Sequence, residues 1–443
     1  MQQQKKQRRF PRPLRHTETS KHASTMVRDF YRRALIYGKT GKQVAWSMAG
    51  TPIEVLELFD VATSMPENYG ALCAAAEGAI PYLEIAESKG YAIELCSYMR
   101  TSLGYSAEFL SLGDIPPDAP AGGMAKPTAI ISNTFLCDPR TKALQAMATM
   151  FKVPMFLADS PCPPHGTDPH DEKVKSSYIK HSRDELWGLI AFLEKLTGEK
   201  YNPDRLRELV TQSQEANYYW YQVGELRKTV PCPYPSQDYF HAVAPYMFMA
   251  GYEMLDLYRH AYTEVKYRAD HKMGIIPEER FRILTVGIPP WYNMAIFNYL
   301  ENLGMVCVMD LTYTPGRSCE VDLSDPIQAL VERAWAKGQD WYKLGAEFSP
   351  EPFCMGLPPG TYPDKLILSW IDEYKVDGVL MFYTPSCRAL AFGQNHWTDL
   401  LNERGVPVLS LEEDMADPRA WDDTLVKEQI NAFRDVLEAR RRS

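Results

Sequence analysis

Seven short apolar runs, each cut off by proline, glycine or polar residues, constrain this chain most. They are KQVAWSMAG (residues 42–50), KPTAIISN (126–133), VPMFLAD (153–159), and the runs near 281, 305, 378 and 406 in FRILTVGIPP, MVCVMD, DGVLMFYTPSC and VPVLSLEED. Apolar stretches of strand length without polar alternation are the pattern of parallel strands buried on both faces. Helical segments separate them. TPIEVLELFD (51–60) carries apolar residues at 53, 55, 56, 58 and 59 behind Thr51 as a cap, and TKALQAMATMFK (141–152) and NMAIFNYLENLG (293–304) are also helical. Strand, helix, strand in succession predicts an α/β fold of two doubly wound, Rossmann-like parallel sheets.

Between the two groups of strands the pattern changes. From about Ser182 to Asp270 it is helical and aromatic-rich, as in ANYYWYQVGELRK (216–228) and YMFMAGYEMLDLYRHAYTEV (246–265). Such a stripe is read as helix packing rather than as a cofactor box. The expected organisation is a flexible basic arm (1–25), a first α/β domain (26–181) that opens with a helix over 26–37, a helical region (182–275) and a second α/β domain (276–443). No repeat is visible at the residue level.

With 443 residues, 45% of them apolar, the chain suits two or three compact units. A formal net charge of −9 argues against a nucleic-acid or anionic-membrane partner. The local exception is KKQRRFPRPLR (5–15), which lacks the apolar centre of a signal peptide. No apolar run approaches the roughly 20 residues of a membrane span, so a cytoplasmic protein is expected. GKTGK (38–42) is not a phosphate loop, because Arg33 stands where the first glycine is needed, and no G-x-G-x-x-G follows a strand. ATP or NAD binding by this chain itself is therefore not expected.

Nine cysteines occupy positions 73, 96, 137, 162, 232, 307, 319, 354 and 387, and none forms a C-x-x-C pair. A zinc ribbon, a thioredoxin-type motif or a ferredoxin-type run is thereby excluded, so any cysteine site must be assembled from distant segments. Ligands of such sheets lie beyond the carboxyl ends of the strands, where helix N-termini present free N–H groups. Cys137 in AIISNTFLCDPR and Cys387 in GVLMFYTPSCRAL follow strands, and Cys96 in ELCSYMRTSLG ends a helix or turn. A helix N-terminus stabilises a thiolate, which makes these three better ligand candidates than Cys73 or Cys307, which read as core residues. Spacing alone leaves three unrelated buried thiols as an equal alternative. Cys162, His165 and His170 in CPPHGTDPH have a superficially zinc-like spacing but read better as an exposed loop. Cys232, Cys319 and Cys354 receive no role.

The segments GKQVAWSMAGTPIEVLELFDVATSMPENYGA, ELCSYMRTSLGY, SNTFLCDPRTK, RILTVGIPPWYN, VDGVLMFYTPSCRALAFGQNHW and VPVLSLEEDMADPRAW, in this order, resemble the subunit family shared by ATP-dependent benzoyl-CoA reductases and 2-hydroxyacyl-CoA dehydratases. The resemblance spans about residues 26 to 425. It implies two similar α/β domains and a cubane [4Fe-4S] cluster held by Cys96, Cys137 and Cys387, or a double-cubane [8Fe-9S] cluster as in some relatives. One iron then keeps an open position. It further implies an acyl-CoA substrate, a paired subunit of similar fold, and a separate iron-sulfur ATPase that supplies the electron, so that ATP enters only through that partner. Ser47 and Glu67 fall in the substrate-facing region, where a hydroxyl or carboxylate can bond a thioester carbonyl or pass a proton; Glu67 also reads as an ordinary helix-capping carboxylate. Pro290, Trp291 and Tyr292 in GIPPWYN form a strand-to-helix turn facing either the thioester or only the fold. Length and cysteine spacing resemble the larger, cluster-binding subunit of benzoyl-CoA reductase, which makes an oxidoreductase the first expectation. A dehydratase (lyase), a double-cubane reductase of small molecules and a non-catalytic electron-relay subunit are the alternatives.

Overall fold

The computed structural model describes residues 8–134, 137–160, 171–313, 320–343, 362–391 and 393–442. The first unit contains α1 (Glu18–Thr40), β1 (Val44–Trp46), α2 (Ile53–Leu58), β2 (Ala62–Ser64), α3 (Pro66–Ala75), α4 (Ala79–Ser88), α5 (Ser97–Leu112), β3 (Ala129–Asn133), α6 (Asp138–Phe151) and β4 (Met155–Ala158). Four helices follow: α7 (Glu172–Thr197), α8 (Pro203–Leu226), α9 (Ser236–Phe248) and α10 (Tyr252–Asp270). The second unit contains β5 (Phe281–Val286), α11 (Ile296–Asn302), β6 (Met305–Asp310), α12 (Pro326–Lys343), α13 (Tyr362–Glu373), β7 (Gly378–Tyr383), α14 (Arg388–Ala391), α15 (Gln394–Glu403), β8 (Val408–Glu412) and α16 (Asp423–Arg442).

Each unit holds a four-stranded sheet, ordered β2-β1-β3-β4 in the first and β6-β5-β7-β8 in the second. Every pairing is parallel, with Val44 opposite Ala62, Trp46 opposite Ile130, and Leu284 opposite Val379. The two orders are the same permutation, so the halves repeat in topology although the residues show no repeat. In both, the order reverses between the first and third strands, and a crevice opens beyond the carboxyl ends at that point. All six residues of β5 and of β6 are buried, which is why these strands read as unbroken apolar runs.

Among the central helices, Trp220 is fully buried and stacks on Tyr239 with ring centroids 4.3 Å apart and an interplanar angle of 15°. Tyr258 closes on the same indole at 4.9 Å. The aromatic stripe is helix packing, as its spacing indicates. No described helix is long and apolar enough to cross a membrane.

The N-terminal segment differs from the expected flexible arm. From Arg8 on it is a strap across the molecule. Phe10 is 3% exposed, and its ring lies 5.5 Å from that of Tyr292. The Arg9 guanidinium donates to the carbonyls of Pro418 and Trp421 at 3.0 and 2.9 Å. The backbone N–H groups of His16 and Thr17 donate to the Asp238 carboxylate, and Thr17 then caps α1. The helix expected at 26 therefore starts at 18, because a cap with a buried carboxylate behind it fixes its first turn. A basic composition suggested a solvated tail; the acceptors that anchor it at Asp238, Pro418 and Trp421 are far away in sequence.

Candidate functional site

Cys96, Cys137 and Cys387 line one cavity of about 1330 Å³ between the two sheets and the central helices. Each immediately precedes a helix: Cys96 precedes α5, Cys137 α6 and Cys387 α14. Of the two readings for Cys96, the end of a turn holds and the end of a helix does not: it stands between a turn and the start of α5. At each, the backbone N–H three residues on, at Met99, Arg140 or Leu390, lies near enough to favour the thiolate in part. Cys96 and Cys137 occupy the N-cap positions of their helices without a side-chain cap hydrogen bond. Cys137 follows β3 and Cys387 follows β7, the third strand of each half and one side of each switch point.

None of the three is in a disulfide, and all are half-buried. Their proton affinity runs opposite to the lowering expected at a helix start. Burial raises all three thiols, Cys387 to about 12, and at Cys96 and Cys387 a thiolate would also meet another of the set. The helix N–H groups only partly offset this. Three partly buried sulfurs that line one cavity are anionic together most readily around a cation. Among the described residues, no group of three His, Cys, Asp or Glu is close enough to hold a single metal ion. A cubane spreads its thiolates over separate irons and needs sulfurs roughly 6–7 Å apart, wider than the donor set of one ion. Three unpaired thiols from separate segments are the donor type and number that such a cluster takes.

Glu67, in the first turn of α3, is electrostatically within reach of all three sulfurs. Its Oε2 pairs with Arg140 at 3.4 Å, and Arg140, 2% exposed, also donates to the Ala49 carbonyl at 2.7 Å. One arginine therefore ties together α6, α3 and the loop after β1. Gly70 allows the approach of α3 to α5, because a Cβ there would lie 2.8 Å from the Tyr98 Cα.

Ser47 is not on the cavity. It is fully buried and donates to the Thr51 hydroxyl at 2.9 Å; Thr51 is the residue that lines the wall. The strand end pulls Ser47 inward one step before the chain turns. Trp291 and Tyr292 line the cavity and Pro290 does not; the Pro290 carbonyl accepts from the Asn293 N–H at 2.8 Å and shapes the turn. The Trp291 indole N–H donates to the Tyr98 hydroxyl, and its backbone N–H to the Met415 carbonyl at 3.2 Å. Phe240 and Tyr313 complete an aromatic wall with Trp291, at centroid distances of 5.7–6.2 Å.

Arg140, Tyr98, Tyr313 and Phe240 are not among the residues that the sequence singles out; only Arg140 carries a signal, lying three residues after a candidate cysteine. Cys73 and Cys307 are core residues at 0% and 2% exposure. Cys162, His165, His170, Cys319 and Cys354 lie outside the described residues.

The Cys387 loop is held from the segment that ends β8. Ser386 donates to Asp414 at 2.6 Å and Thr384 to Glu413. Burial, with Asp414 alongside, holds the Glu413 carboxyl well above the usual range. Across the crevice, Arg388 and Asp138, the residues next to Cys387 and Cys137, pair at 3.1 Å.

The pattern described as 2-hydroxyglutaryl-CoA dehydratase, D-component, matches residues 48–437. Lactoyl-CoA dehydratase subunit alpha of Anaerotignum propionicum is 24% identical, over 90% of this chain and 92% of that one. The (R)-2-hydroxyisocaproyl-CoA dehydratase alpha subunit of Clostridioides difficile is 25% identical, over 95% and 98%. A benzoyl-CoA reductase subunit of Thauera aromatica is 22% identical, over 90% of each. With the match running from the loop after β1 into α16, through all three cavity cysteines, the chain belongs to the 2-hydroxyglutaryl-CoA dehydratase D-component family.

Proposed function

We propose that this chain is the cluster-bearing subunit of an enzyme that activates acyl-CoA thioesters by one-electron chemistry, with Cys96, Cys137 and Cys387 as thiolate ligands of a [4Fe-4S] cluster. The observation that carries the reading is the meeting of three unpaired thiols, each at a helix start, in one cavity. When bound, such a cluster supplies an electron at low potential and an iron with an open position. The chain's own residues do the rest. Trp291, Tyr313 and Phe240 exclude water from the acyl end. Glu67, held by Arg140, is placed to accept or return a proton at the acyl group. Thr51 offers a hydroxyl on the cavity wall, hydrogen-bonded by Ser47.

The reaction we favour is dehydration of a 2-hydroxyacyl-CoA, supported by the names of the dehydratase relatives. Reduction of an aromatic acyl-CoA is the second reading, favoured by the aromatic wall and by the benzoyl-CoA reductase relative. The names of the relatives are those of subunits, which supports a paired subunit, and a separate ATPase is proposed as the electron source. The test is electron paramagnetic resonance on the anaerobically purified pair without the ATPase, with a panel of 2-hydroxyacyl and aromatic thioesters. A signal shifted by one class is expected and names the substrate; a signal that no thioester shifts would mean a relay subunit instead.

A further inference from the structure

The cavity continues well past the cysteines. It reaches the N-terminal strap and α1, where Arg12, Arg15 and Arg28 line it. The strap is fixed on both sides of Arg12 and Arg15, by Arg9 and Phe10 before them and by His16 and Thr17 after. The backbone that carries them is therefore set by the fold. Neighbouring Arg8 and Lys21 are neutralised by Glu77 and Glu18. Among the described residues, no carboxylate lies within ion-pair distance of Arg12, Arg15 or Arg28. Asp238 attracts Arg15 from farther off, but its oxygens are taken by the N–H groups of His16 and Thr17 and the hydroxyls of Thr17 and Ser20. Arg15 donates to the Ser24 hydroxyl at 2.7 Å, and Arg28 to the Thr25 hydroxyl at 2.9 Å, both neutral acceptors. Arg15 and Arg28 are close enough to repel each other. Arg15 is partly buried and Arg12 and Arg28 are exposed at the cavity's rim, so in a chain with a net charge of −9 three guanidinium groups without an ion-pair partner among the described residues are gathered on one cavity wall, where an anion can meet all of them. The volume points the same way, because about 1330 Å³ exceeds what an acyl group alone would fill.

We propose that Arg12, Arg15 and Arg28 receive the phosphate groups of the CoA part of the substrate, with the pantetheine arm running along the cavity toward the cysteines. This rests on the acyl-CoA reading above. Guanidinium groups suit phosphate because their paired N–H groups match two oxygens.

The test is equilibrium binding, on the anaerobic pair, of an acyl-CoA, the same acyl-dephospho-CoA and the same acyl-pantetheine. Each is measured with wild type, with Arg12→Gln/Arg15→Gln/Arg28→Gln, and with the corresponding triple lysine variant. The expected result is a loss of acyl-CoA affinity in the glutamine variant of roughly tenfold per guanidinium, on the order of 10²–10³-fold in all. Acyl-pantetheine should bind unchanged, and the lysine variant should recover part of the loss. A glutamine variant that still prefers acyl-CoA to acyl-pantetheine as strongly as wild type would overturn the phosphate site. So would one that loses both ligands equally. If wild type itself bound no CoA thioester, the acyl-CoA reading would fall, and this inference with it.

Discussion

The Nδ1–H of His241 donates to the Gln237 carbonyl at 2.6 Å, on the cavity wall beside Arg15. Burial, with Arg15 nearby, lowers its pKa from 6.5 to about 4. Between these values the unfolded chain binds a proton that the folded one does not, so stability rises with pH across the window and is fully present above 6.5. At 1.36 kcal/mol per unit the ceiling is about 3 kcal/mol. Urea unfolding at about pH 5 and about pH 7 should therefore show a slope that His241→Gln reduces; an unchanged slope would mean that other groups dominate. Other residue-level features are weaker. The Arg388–Asp138 pair is exposed, at 65% and 62%, so Asp138→Ala should cost less than about 1 kcal/mol in the same assay.

At the scale of elements, the ends of strands decide the site. Gly287, just after β5, has φ +99, and a Cβ there would lie 2.3 Å from the Phe382 carbonyl oxygen in β7. Both a left-handed backbone and a backbone clash oppose any side chain. Gly287→Ala should lower stability by about 2–4 kcal/mol in chemical denaturation. It should also disturb the loop after β7 that carries Cys387; a neutral effect would mean that β5 and β7 separate easily. The long buried strands are legible in the sequence because parallel strands have no polar alternation. β2 is not, because it is three residues long, Ala-Thr-Ser, and borrows its identity from pairing with β1. Cys137 and Cys387 can be placed after strands from the sequence. Cys96 reads as the end of a helix or turn and does close a turn, but that it is also the N-cap of α5 is not legible, because it makes no side-chain cap to mark a beginning. Arg140, Tyr98 and Tyr313 reach the site from three separate segments, and nothing local in sequence ties Tyr313 to the cysteines.

The whole molecule is two copies of one strand order facing each other, and the site exists only where they meet. Cys96 and Cys137 come from the first half and Cys387 from the second. Arg100, 2% exposed, fastens the halves near Cys96: it pairs with Glu87 at 2.5 Å and reaches Asp417 at 3.5 Å, and Arg419 bridges the same two carboxylates. The strap that packs Phe10 against Tyr292 does so at the N-terminal side. Two sheets are readable in the sequence, but their facing arrangement is not, because it depends on such long-range pairs. The central claim is that three thiols from both halves hold one cluster. It is tested most directly by iron and acid-labile sulfide analysis of the anaerobically purified pair, for wild type, Cys96→Ala, Cys137→Ala and Cys387→Ala, with Cys73→Ala as a buried control. The account predicts a cubane's complement of iron and sulfide from this chain in wild type and in the control, and its loss in each of the three site variants. Equal iron in wild type and all three site variants, or none in wild type, would contradict it.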